Sequence, residues 1–61
     1  MDLPQQAFLR DAMRRMDLSR EGLAQRIGVR RRAIDSWLLP AGSAEARAMP
    51  EIARRFIGEL L

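Results

Sequence analysis

SREGLAQRIGVRRRAIDSW, residues 19–37, decides the fold. Ser19 has a hydroxyl that can accept from a backbone N–H and so start a helix. Leu23, Ala24 and Ile27 follow it at helical spacing. Gly28 tolerates the left-handed backbone on which helices commonly end. Beyond it the spacing predicts a second helix, with Ala33, Ile34 and Trp37 on one side and Arg31, Arg32, Asp35 and Ser36 on the other. The stretch therefore reads as two short helices, about 20–27 and 31–38, joined at the glycine.

The second helix starts against the rules. Its first residues are Arg30, Arg31 and Arg32. A helix N-terminus is the positive end of the peptide dipoles, so each cation there is disfavoured by roughly 0.3–1 kcal/mol. Arg also cannot accept the hydrogen bond that a capping Ser, Thr, Asp or Asn accepts.

Outward from this pair the pattern stays helical. Phe8, Leu9, Ala12, Met13 and Met16 recur at helical spacing over residues 4–16, behind Pro4. Residues 40–49 read as a loop, with room for one short helical turn over residues 43–47. Pro50 opens a C-terminal helix over about 50–61, where Ile52, Ala53, Phe56, Ile57, Leu60 and Leu61 make a broad apolar stripe. No segment alternates as a strand does. The fold class is all-α: a compact four- to five-helix domain covering residues 1–61.

The net charge of +3 has an address. Acidic and basic residues balance in residues 1–19 and again in residues 40–61. Residues 20–39 hold five Arg (20, 26, 30, 31 and 32) against Glu21 and Asp35, and so carry all of the excess. A localised basic patch suits a polyanionic partner. All eleven basic residues are Arg, the side chain suited to bidentate phosphate and guanine contacts, although a GC-rich genome would give the same usage.

Several classes are set aside. The chain has no Cys and no His, so it lacks thiolate and imidazole metal ligands and the commonest general base. Ser19, Ser36 and Ser43 have no His or Lys to activate them, and no Gly-rich loop could cradle a phosphate. No enzyme activity, metal, cofactor or small-molecule ligand is expected. No apolar run reaches membrane-spanning length, and the N-terminal MDLPQQ is not a signal peptide. The expectation is a bacterial cytoplasmic protein, nucleoid-associated when bound.

The same residues carry a resemblance. The pattern S-x-x-x-L-A-x-x-I-G-V-x-x-x-x-I-x-x-W in residues 19–37 closely resembles the helix-turn-helix of the Cro/phage-repressor (XRE-like) family. The helix before it and the Pro-led helix after it also fit, so the likeness covers most of the chain. The layout around Trp37, Pro40, Arg47 and Pro50 looks like small anti-CRISPR-associated and plasmid-borne repressors. The resemblance implies a lambda-repressor-like fold in which residues 20–27 cross the DNA backbone and residues 31–38 enter the major groove N-terminus first. The departure is Arg30, where the family usually has Ser or Thr.

That departure answers the problem of the three cations. A rule broken locally is expected at a functional site. An uncapped helix start offers free N–H groups to an anion, and three Arg add to the gain when phosphate or guanine arrives. Base contacts are expected from Arg31 and Arg32, with Ser36 and Asp35 beside them. Asp35, four residues after Arg31, is placed to orient that guanidinium, to accept from a cytosine amino group, or simply to relieve charge. Phosphate contacts are expected from Arg30, Ser19, Arg20, Ser43 and Arg47. Trp37 falls on the core side.

The expected function is sequence-specific binding of double-stranded DNA by a small transcriptional repressor. With no segment expected beyond the domain to house a ligand sensor, an autorepressor of a phage, plasmid or other mobile element fits. A palindromic operator and a homodimer are expected, with Ile52 and Phe56 closing the monomer core and Ile57, Leu60 and Leu61 meeting the partner. The alternatives are an architectural or recombination-directionality DNA-binding protein, and a helical protein-interaction module such as an antitoxin or inhibitor.

Overall fold

The computed structural model describes residues 4–61, which form α1 (Gln5–Met16), α2 (Arg20–Ile27), α3 (Arg31–Leu38) and α4 (Glu51–Leu60). Among these residues there is no strand. Part of the MDLPQQ reading, and the charge assigned to Asp2, lie outside them.

Local chemistry accounts for most helix ends. Ser19 caps α2, its Oγ accepting from the Gly22 N–H at 3.0 Å. Gly28 ends α2 at φ 80°, and its N–H and that of Val29 both donate to the Ala24 carbonyl. Asp17 ends α1 at φ 54°, a left-handed conformation that Asp adopts more readily than most residues. Pro4 and Pro50 stand in the N-cap positions of α1 and α4, one residue before the first-turn sites expected for them. Residues 43–47 form no fifth helix. Ser43 donates to the Pro40 carbonyl and Ala46 to the Ser43 carbonyl, so this segment is two isolated turns.

The core draws on all four helices: Leu9 and Ala12, Leu23 and Ala24, Ile34, Trp37 and Leu38, and Ile57. Leu9, Leu23, Ile34 and Ile57 are completely buried, each worth roughly 1.5–3 kcal/mol relative to exposure. α2 and α3 pack against one another, α1 packs on α3, and α4 packs on α2. Ala24 is buried on the inner side of α2, as its small size allows.

α4 is rotated relative to the expectation. Ile57, expected at a surface contact, is the one completely buried residue of α4. Ile52 and Phe56, expected to close the core, are 79% and 44% exposed. The reason is angular. The apolar residues of α4 cover an arc of about half its circumference, and a small core takes only part of it. Packing on α2 selected the part centred on Ile57. Leu60 is half-buried and Leu61 exposed.

Two glutamines tie the loop to the bundle. From the first turn of α1, Gln5 Nε2 donates to the Trp37 carbonyl (2.9 Å) and the Arg47 carbonyl (2.7 Å), while its Oε1 accepts from the Met49 N–H (2.8 Å). Gln6 Nε2 donates to the Leu39 carbonyl at 2.8 Å. The Arg47 N–H donates back to the Ser36 carbonyl of α3. A loop without regular structure is thereby held beside α3.

Candidate nucleic-acid interface

The start of α3 is chemically open. Arg30 occupies its N-cap position at φ −78° and ψ 148°, and no side chain accepts from the first turn. Such a turn leaves backbone N–H groups without an intrahelical partner. Arg30, Arg31 and Arg32 are all exposed there. Arg30 and Arg32 carry no ion pair among the described residues. Donors, dipole and guanidinium charge thus accumulate at one end of one helix, which suits an anion.

Asp35 joins this end to α2. Its carboxylate accepts from Arg20 Nη1 at 2.9 Å and lies 3.8 Å from Arg31 Nε. Arg20 begins α2 and Arg31 begins α3, so one carboxylate bridges the N-terminal turns of both helices. All three side chains are roughly half exposed, so the cluster adds little to stability. Its effect is on placement, since Asp35 lets two like charges from different helices lie side by side. The Arg31–Asp35 proximity follows from helical spacing. The Arg20 partnership does not, because it depends on how α2 and α3 pack.

A shallow depression of about 350 Å³ lies beside the cluster, lined by Arg30, Arg32, Ala33, Ser36, Trp37 and Arg47. The structure therefore brings together Arg30, Arg32, Ser36 and Arg47 from the expected set. Arg47 reaches this place because its backbone is held by Gln5 and by Ser36, while its Nη1 donates to the carbonyls of Ala44 and Ala46.

The serines outside α3 stand elsewhere. Ser43 does not line the α3 depression; it lines a neighbouring hollow with Gln5, Gln6, Leu39 and Arg47, and Arg47 lines both. The Ser19 oxygen accepts the α2 capping bond. Trp37 is buried, with its backbone carbonyl taken by Gln5. Sequence reasoning missed Gln5, which organises the loop behind the site. A polar residue in the first turn of an amphipathic helix gives no signal of a long-range role.

Among the described residues no helix is long and apolar enough to cross a membrane. No protein-family model, curated protein or solved structure matches the chain.

Proposed function

We propose that this protein binds double-stranded DNA sequence-specifically through α2 and α3, acting as a helix-turn-helix of the Cro/phage-repressor kind, and that it serves as a small repressor bound to a palindromic operator as a homodimer. The observation that carries the reading is the uncapped first turn of α3 with Arg30, Arg31 and Arg32 exposed on it. A structural helix start would favour a cap and an acidic residue in these places. α3 has neither.

Each residue then has a role. Arg31 and Arg32 read guanine edges in the major groove, where the guanidinium fork matches the guanine O6 and N7 acceptors. Asp35 holds Arg31 and Arg20 apart from the solvent's free choice of rotamer, and Ser36 stands on the same face. Arg30, Arg20 and Arg47 neutralise phosphates on either side. Each neutralised phosphate contributes about −0.9 to the slope of log K against log salt.

Selection of binding sites from a random duplex library, followed by titration on the recovered site and on scrambled duplex, tests this directly. The expected result is an enriched, two-fold symmetric sequence and binding at least about 10³-fold tighter than to scrambled DNA. Binding without sequence preference but with strong bending of the duplex would place the protein among architectural factors instead. No binding to duplex at low salt would refute the DNA reading and leave a protein-interaction module.

A further inference from the structure

The three arginines at the start of α3 are not equivalent. Arg30 and Arg32 line the depression that Arg47 also lines, and neither has a carboxylate within ion-pair distance among the described residues. Arg31 stands apart from that depression, on the side toward α2. Its Nε lies 3.8 Å from Asp35 Oδ2. The other oxygen of that carboxylate, Oδ1, accepts from Arg20 Nη1 at 2.9 Å. Asp35 is thus anchored from the neighbouring helix and turns away from Arg31 only by giving up the Arg20 bond.

We infer that Asp35 is a specificity-determining residue that closes Arg31 to phosphate and leaves it open to a neutral acceptor, the guanine edge. The inference deepens the DNA reading above. It rests on that reading for the guanine, but the exclusion of phosphate is measured without DNA, so the two fail separately.

Charge makes the distinction. The carboxylate approaches Arg31 at Nε, which leaves the two terminal nitrogens for a ligand. Guanine O6 and N7 carry no net charge and share the guanidinium with a carboxylate at little cost. A phosphate on the same nitrogens stands one guanidinium's width from a second anion, and the two repel. Arg31 and Asp35 are both roughly half exposed, so the difference has the size of an exposed ion pair, up to about fivefold in binding. On arbitrary duplex an arginine gains by meeting phosphate, which carries no sequence information. An arginine kept off phosphate adds to binding only where guanine is present. Arg30 and Arg32, without a carboxylate, stay open to phosphate on any sequence.

The Nε–H resonances of the arginines, followed by NMR as the protein is titrated with inorganic pyrophosphate, test the exclusion. In the wild type Arg30 and Arg32 should shift and Arg31 should respond about fivefold more weakly. In Asp35→Asn, which keeps the shape and an acceptor for Arg20, Arg31 should respond as its neighbours do. An Arg31 that follows Arg30 and Arg32 in the wild type overturns the inference, as does an Arg31 unchanged by Asp35→Asn. On DNA, Asp35→Asn should bind scrambled duplex more tightly and lower the ratio of selected-site to scrambled affinity about fivefold. General relief of negative charge would raise both affinities alike. Glu21→Gln, which removes an exposed carboxylate beside Arg20, should therefore leave the ratio unchanged. Arg31→Ala/Asp35→Asn should have the same ratio as Arg31→Ala. A ratio unaffected by Asp35→Asn, or lowered equally when Arg31 is already Ala, overturns the role in specificity. Repeated site selection with Asp35→Asn should recover the same sequence with weaker preference at one guanine. A new base preferred at another position would make Asp35 a direct base contact and overturn the inference.

Discussion

Replacing Gln5 should cost far more than an exposed first-turn glutamine would suggest. Its amide serves three backbone groups: the carbonyls of Trp37 and Arg47 and the N–H of Met49. Each such bond contributes about 0.5–1.5 kcal/mol net. In Gln5→Ala the three groups partly recover water, because two of the bonds are half-buried and the third is exposed. The loss should therefore be about 2–3 kcal/mol. At about 4–8 °C per kcal/mol for a domain of this size, the midpoint should fall by roughly 10–20 °C in a thermal melt followed by circular dichroism. Gln6→Ala, which loses a single bond to Leu39, is the internal control and should cost about 1 kcal/mol. Gln5→Glu should not rescue, because a carboxylate can accept from Met49 but would face the two carbonyls it no longer donates to. DNA affinity should fall along with stability, since Gln5 holds the Arg47 backbone beside α3. A Gln5→Ala midpoint indistinguishable from that of Gln6→Ala would refute the assignment of Gln5 as the anchor of residues 40–49.

Three further outcomes are expected. Arg31→Ala or Arg32→Ala should each lose about 1–3 kcal/mol on the selected site and much less on scrambled duplex, measured by fluorescence anisotropy, while equal losses on both would move that residue to the phosphate set. Arg30→Ala should leave base preference intact and make the slope of log K against log salt shallower by about one per subunit, so an unchanged slope would remove Arg30 from the phosphate contacts. Gly28→Ala should destabilise by about 1–2 kcal/mol in urea denaturation although a Cβ there meets nothing within 4 Å, because the cost lies in φ 80° rather than in space; Gly28→Asn should cost less.

The sequence by itself determined the helices and most of their ends, because those depend on residues within one turn. Ser19 caps α2 through its own Oγ, Gly28 ends α2 in a conformation that only glycine adopts freely, and the side of α3 that carries Ile34 and Trp37 follows from spacing alone. The absence of a cap at Arg30 is equally local and was legible for the same reason. Tertiary structure decided what depends on direction between elements. The apolar arc of α4 is wider than the core it serves, so only packing on α2 could bury Ile57 and turn Ile52 and Phe56 outward. Arg20 meets Asp35 only because α2 and α3 cross as they do, at a sequence separation of 15 residues. Gln5 reaches Arg47 and Met49 across separations of 42 and 44 residues, for which helical periodicity carries no information.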